Sequence, residues 1–403
     1  GPTWRLGPGD TLRVELVNRL DRVTNLHVHG LHVSPEGNGD NVFVAVDPGR
    51  AHRYEYRLPD NHPPGVYWYH PHHHGTVADQ VFGGLYGAII VEDDEEIPVD
   101  RERVMVVSDI TLDSGGSLVS PSTMERMMGR EGELVLVNGA AKPDLKGRSG
   151  ERERWRIINA CTARYLALRL PEQRARVVGR DVGRLPRDMA LEDVVLAPGN
   201  RLDLVVDLSE GGSELIAMPV DRGGMMGQMM GGGPRPGGGG PVTLARLSVS
   251  ASGNRAVGEI PAGTAVRDLR DADVDGRRSI TFQMGMGGMM GGGDGPMSFT
   301  FDGEEFDADR IDQQVGMDTV EEWTIGNDSP MDHPFHLHVW PMQLLEVDGQ
   351  QLSEPVWLDV VNVPARSQVK VRVAFEDFGG RTVYHCHILD HEDRGMMGTV
   401  LAS

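Results

Sequence analysis

One phrase returns three times along the chain, and a repeat of that kind restricts the fold more than composition does. Residues Thr11 to Asn18 alternate apolar and polar, with Leu12, Val14 and Leu16 on one face, the pattern of a half-buried strand. Trp155-Arg156-Ile157-Ile158-Asn159 and Trp323-Thr324-Ile325-Gly326-Asn327 also end a strand in Asn, with Trp four residues before it. Nine and eleven residues beyond each Asn stand His27 and His29, then Leu168 and Leu170, then His336 and His338. The middle copy carries leucines where the outer copies carry histidines.

The second half of each unit repeats as well. Gly65-Val66-Tyr67-Trp68-Tyr69-His70-Pro71-His72 matches Gly380-Arg381-Thr382-Val383-Tyr384-His385-Cys386-His387, with Gly212 to Met218 as the middle counterpart. Gly84-x-x-Gly87 answers Gly395-x-x-Gly398, each leading into a final strand. Pro71 and Thr76 stand in the first unit where Cys386 and His391 stand in the third. These correspondences predict three homologous β-domains, at 1–97, 98–255 and 276–403, the outer two metal-bearing and the middle one not. The acidic run Glu92 to Asp100 and the Gly/Ala/Asp-rich stretch Ser252 to Asp275 mark the boundaries. Gly223 to Pro241 and Met284 to Gly295 lack helix or strand periodicity and are expected as loops over the core.

The segment His385 to Met396 gathers a thiol, three imidazoles and a thioether in twelve residues. In an extended strand, His385 and His387 share one face while Cys386 points to the other, so one strand can touch two metal centres. A trigonal His/Cys/His set with a weak axial Met is a copper arrangement rather than a zinc one, and His333 is the candidate for its second His. Four His-x-His pairs occur, His27/His29, His70/His72, His336/His338 and His385/His387. Strand geometry places the imidazoles of each pair on one face, about 6.5 to 7 Å apart. Because the pairs come from opposite ends of the chain, the cluster they form is expected between the first and third domains, where eight imidazoles suit three copper ions.

Composition narrows the partners. The net charge of -21 and the pI near 5.1 argue against nucleic acid and favour cationic partners, metal ions included. No run of about 18 apolar residues exists, so no membrane span is expected. With two cysteines, and Cys161 left without an intramolecular partner if Cys386 binds metal, a disulfide framework is excluded, and Cys161 reads as a small buried hydrophobe. Gly1 opens directly on strand-like sequence, so any export signal was removed or never present.

His27-Val28-His29-Gly30, Trp68-Tyr69-His70-Pro71-His72, His333-Pro334-Phe335-His336-Leu337-His338 and the Cys386 segment resemble the four copper signatures of the multicopper oxidases, in order. The resemblance runs from about Gly9 to the C-terminus, and all four motifs are complete. It implies an all-β chain of three cupredoxin-like Greek-key β-sandwich domains holding four copper ions, one of type 1, one of type 2 and two of type 3. By motif position, His333, Cys386, His391 and axial Met396 would bind type 1 copper, and His27 and His336 type 2 copper. His29, His70 and His387 would hold one type 3 ion, with His72, His338 and His385 on the other. Met397 competes with Met396, and His73 and His74 with their neighbours; the repeat favours Met396, His70 and His72. His32, His52 and His62 read as surface or supporting groups.

The same resemblance implies one-electron oxidation of a small reductant, the electron crossing through Cys386 to His385 and His387, with dioxygen reduced to water at the cluster. Glu392 matches a proton-donor position of related oxidases, and Asp40 looks like the acidic residue near type 2 copper. Soft thioethers favour Cu(I), so Met225, Met226, Met229 and Met230, with Met286, Met289 and Met290, are candidates to collect cuprous ion. Met331 and Asp328, just before His333, resemble a substrate-copper position in cuprous oxidases, while Asp332 either orients a cation or is merely exposed. Cuprous ion is the expected reductant. A laccase-like phenol oxidase with the same sites and a non-enzymatic copper store are the alternatives, and the family implies a periplasmic or extracellular setting.

Overall fold

The computed structural model of the chain describes residues 1–223, 240–251, 258–263, 267–285 and 297–403. Strands dominate and pair into three successive sandwiches. In the first, Trp4–Leu6, Gly87–Val91, Gly65–His70 and His27–His29 form one sheet in that order, facing the pair Thr11–Val17 and Ala51–Arg57. Leu12, Val14 and Leu16 alternate inward as expected and pack on a core of Tyr54, Tyr56, Tyr67 and Ile89. The middle sandwich sets a six-stranded sheet centred on Arg152–Asn159 and Arg201–Asp207 against a five-stranded one centred on Gly211–Met218. The third repeats that plan, with Thr319–Asn327 central in six strands and Gly380–Cys386 central in five.

The repeated phrase does the same work in all three. Asn18 donates to the Arg22 and Val46 carbonyls, Asn159 to those of Arg164 and Leu196, and Asn327 to those of Met331 and Val363. Each Asn also accepts from the backbone two residues on, at Leu20, Cys161 and Ser329. The side chain thus stands in for a ladder partner where the strand ends and staples the outgoing loop. Both Trp155 and Trp323 are fully buried and donate to a glutamate two residues before them, Glu153 and Glu321. Register repeats too: His27 lies opposite His70, Leu168 opposite Ala217 and His336 opposite His385. Gly87 and Gly398 each lie opposite a tyrosine, Tyr69 and Tyr384, whose ring occupies the space a Cβ would need.

Two details depart from expectation. Met284 and Gly285 belong to the strand Gly276–Gly285, because the ladder to Ser298–Phe301 extends through them. Gly223 makes an isolated bridge to Met331. Met225, Met226, Met229, Met230, Met286, Met289 and Met290 lie outside the described residues.

Contacts between sandwiches hold the outer two together. Val77, Ala78 and Val81 of the helix Val77–Phe82 bury against Leu389 of the short helix Leu389–Glu392. The Asp393 carboxylate accepts the amides of Gly75, Val77 and Ala78 at 2.7, 3.1 and 2.8 Å. Asp393 thereby caps the first turn of a helix more than 300 residues away in the sequence.

Candidate metal centre

The strand Gly380–Cys386 delivers the chemistry of both centres. On one side Cys386 Sγ lies 3.3 Å from His333 Nδ1 and 3.9 Å from His391 Nδ1, with all three residues fully buried. Each imidazole is turned by its other nitrogen: His333 donates from Nε2 to the Ser329 hydroxyl at 2.8 Å, and His391 to the Met127 carbonyl at 3.0 Å. Phe282 stacks on the His333 ring and Phe299 on that of His391. Met396 is buried in the same core cluster as Cys386, and its backbone closes the loop by bonding His391 and Cys386. Met397 packs elsewhere, with Val42 and Val383, which separates the two methionines.

On the other side, eight imidazoles meet at the seam of the first and third sandwiches. His72, His338 and His385 bring their Nε2 atoms together, 3.0 and 3.1 Å from that of His385. His29, His70 and His387 form a second group and His27, His29 and His336 a third, each with ligand atoms within 4.8 Å of one another. Rings from opposite sandwiches stack, His27 on His338 and His29 on His336, both with centroids 3.9 Å apart. Within the four pairs the centroids are 5.6, 5.9, 4.7 and 5.6 Å apart, closer than the 6.5 to 7 Å of straight strand geometry. His72, His338 and His387 lie just past the ends of their strands, where the backbone is free to turn the ring inward.

The donor atoms fit a metal. Burial lowers every one of these imidazoles, to about 3 for His70 and His72 and about 4 for His385, so each keeps a neutral lone pair at pH 7. His27 Nε2, His29 Nδ1, His70 Nε2, His336 Nε2 and both nitrogens of His387 are buried without a hydrogen-bond partner. Such atoms are costly to bury unless something fills the space between them. Burial also pushes the Cys386 thiol up, so a thiolate there requires a cation beside it. Imidazole, thiolate and thioether together form a copper set.

Both predicted carboxylates reach this cluster. His27 donates from Nδ1 to Asp40 at 2.8 Å, and the Val28 amide donates to the same carboxylate at 3.0 Å, which leaves His27 Nε2 facing the cluster. Glu392 Oε2 is 3.1 Å from His385 Nδ1, which also points at the Cys386 carbonyl, and Glu392 Oε1 is 3.6 Å from His72 Nε2. Burial raises both acids, Glu392 to about 7 against the pull of His72, and Asp40 to about 8 against the bond from Val28.

Other sequence candidates sit apart. His73 and His74 join none of the ligand groups. His62 takes the His32 amide on Nε2, and His52 packs edge-on to Tyr54. Met331 is 1% exposed, whereas Asp328 is exposed and its backbone carbonyl accepts from Arg366. Asp332 is tied to the Ala365 amide and the Asn362 side chain. Cys161 is buried and free. Sequence reasoning missed Ser329, Met127, Asp359, Arg201 and Gly199. Asp359 Oδ1 lies 3.2 Å from His29 Nε2, and its carbonyl accepts from His336 Nδ1 at 2.8 Å. Only Ser329, four residues before His333, had a local signal.

Three sandwiches with an imidazole cluster at one seam and a buried thiol site joined to it by a single strand define a copper-binding redox protein. Multicopper oxidase family models match residues 1–96 and 274–403. A multicopper oxidase of Staphylococcus haemolyticus is 28% identical over 99% of this chain and 81% of its own length. A cell division protein of Dickeya dadantii is 28% identical over 100% and 83%. Among solved structures, a metallo-oxidase of Campylobacter jejuni described as a multicopper oxidase superposes with a TM-score of 0.85 at 30% identity, covering 100% of this chain and 84% of that one. The chain belongs to the multicopper oxidases, copper-dependent oxidoreductases that use dioxygen as acceptor.

Proposed function

We propose that this chain couples one-electron oxidation of a small reductant, cuprous ion foremost, to four-electron reduction of dioxygen to water. Copper, when bound, supplies one-electron centres that pool charge and open positions for dioxygen. The observation that carries the reading is the placement of Cys386 against His333 and His391 while its neighbours His385 and His387 face the cluster. His333, Cys386, His391 and Met396 would hold type 1 copper, and His27 with His336 type 2. His29, His70 and His387 would hold one type 3 ion, and His72, His338 and His385 the other. Glu392 holds a proton beside His72 and His385, and Asp40 orients His27 and holds a second. The domain limits are 1–97, 98–255 and 276–403, each close to a change of sheet.

Two contacts favour a small donor over a phenol. The outer nitrogen of each thiol-site imidazole is already bonded, to Ser329 and to Met127, and both rings are fully buried under phenylalanines. A phenol therefore has no bare imidazole edge to lie against. Methionines of the two glycine-rich segments, Met331 and Asp328 are the candidate cuprous ligands. A periplasmic or extracellular setting matches a protein that handles free copper, and no described helix is long and apolar enough to cross a membrane.

Titrating copper into the metal-free chain tests the reading: intense blue colour and about four ions per chain are expected. The loaded protein should then consume dioxygen faster with Cu(I) than with a dimethoxyphenol. Copper uptake without oxygen consumption would identify a store. Cuprous turnover that survives deletion of residues 224–239 unchanged would remove the methionines of that segment from substrate delivery.

A further inference from the structure

We propose that Arg201 of the middle sandwich is a positioning residue for the copper cluster, acting through Asp359 to set which nitrogen His29 and His336 present. The inference rests on the copper reading above.

Arg201 is fully buried and reaches all three sandwiches. Its Nε donates to the Val66 carbonyl of the first at 3.0 Å, and its Nη1 to the Gly199 carbonyl of its own at 3.1 Å. Both Nη atoms grip the Asp359 carboxylate of the third, Nη1 at 2.6 Å. Asp359 then accepts from two cluster imidazoles through different ring nitrogens. The His29 Nε2–H faces its carboxylate at 3.2 Å, which turns Nδ1 of His29 to the cluster. The His336 Nδ1–H faces its carbonyl at 2.8 Å, which turns Nε2 of His336 to the cluster. One residue thereby fixes the orientation of a ring from each outer sandwich, and Arg201 fixes that residue.

The loop before Arg201 adds a floor. Gly199, at φ +90°, lies so close to His387 that a Cβ would fall 2.9 to 3.0 Å from three atoms of the ring. Asn200 donates to the Val360 carbonyl at 3.0 Å, fastening the same loop to the third sandwich. Gly30, directly after His29, leaves room for the ion pair, since a Cβ there would collide with Arg201 and Asp359. A buried ion pair is a weak source of net stability. What this one touches accounts for it better: partners that orient metal-binding histidines govern affinity by about 10- to 100-fold.

Arg201→Gln, Arg201→Lys and Asp359→Asn in the full chain, loaded with copper, test the proposal. In Arg201→Gln the copper content should fall from about four toward about three per chain, with about 10-fold or greater loss of affinity and an altered type 2 paramagnetic resonance spectrum. Blue colour at Cys386 should persist, because His333 and His391 do not touch Arg201. Arg201→Lys, which keeps charge but not the two-pronged grip, should fall between. The near-isosteric Asp359→Asn serves if Arg201→Gln does not fold. Folded Arg201→Gln or Asp359→Asn with wild-type copper content and spectrum overturns the proposal. So does equal loss at all sites, blue colour included, which marks a merely structural pair. Failure of the wild-type chain to take up copper would instead overturn the reading on which this one rests.

Discussion

Glu392 shows how little separates an inert carboxyl from a proton donor. It is fully buried between His72 and His385, and desolvation lifts it to about 7, so it carries a proton in the range where the cluster imidazoles stay neutral. With a donor whose own charge is independent of pH, oxygen-reducing turnover should fall as pH rises and Glu392 loses its proton, the charge of bound copper setting that limb below the about 7 of the copper-free protein. Glu392→Gln should lower turnover about 100-fold and abolish that limb, with the blue colour unchanged. Steady-state oxygen consumption across pH checks both. Asp40 behaves differently because it is bonded to a ligand: it fixes His27, so Asp40→Asn should weaken copper retention by about 10-fold or more, read by metal analysis after dialysis.

At the scale of elements, the stapling asparagine and the short helix Thr123–Met128 invite separate tests. Asn159 makes in the metal-free sandwich the bonds that Asn18 and Asn327 make elsewhere, so Asn159→Ala isolates their structural worth. Leaving the Arg164 and Leu196 carbonyls and the Cys161 amide unpaired should cost about 2 kcal/mol in urea unfolding, with copper content unchanged. The helix is held over the thiol site by a Ser122/Glu125 capping box and by Arg130, which grips Asp390. Gly129, at φ +77°, fits against Ile388 and Ala163, where a Cβ would fall 2.5 and 2.7 Å away. Gly129→Ala should push the Met127 carbonyl off His391. Losing that acceptor makes the imidazole a poorer donor, so the reduction potential of the blue site should rise in a redox titration.

For the whole molecule, burying so many neutral imidazoles sets the response to acid. Their folded values lie below the ordinary 6.5, near 3 for His70, His72 and His391, so the unfolded chain binds protons the folded one refuses. Their contribution to the stability of the copper-free protein should therefore be full above pH 6.5 and fall as pH drops toward 3, each such site removing up to about 1.4 kcal/mol per pH unit, while the raised carboxyls Glu392 and Asp40, far fewer, act with the opposite sign. Urea unfolding at pH 7.5 and pH 5.5 measures the slope. Copper adds its binding free energy to the folded state, and the loaded protein should unfold at higher denaturant at both pH values.

The strands, the three-unit plan and the copper-binding residue types follow from the sequence alone, because side-chain alternation and His-x-His spacing are local and repeat in register. Cys386 opposite His385 and His387 needed nothing beyond the two-residue period of a strand. Periodicity did not say which imidazoles meet: the grouping of His29 with His70 and His387 came from the motif resemblance, and tertiary structure alone decided that the rings converge where strands end. It also decided the supports: Met127 acts through a backbone carbonyl, which carries no side-chain signature, and Arg201 meets Asp359 across 158 residues. Ring orientation depends on the second nitrogen of each imidazole, and its partner is brought there by the packing of another sandwich.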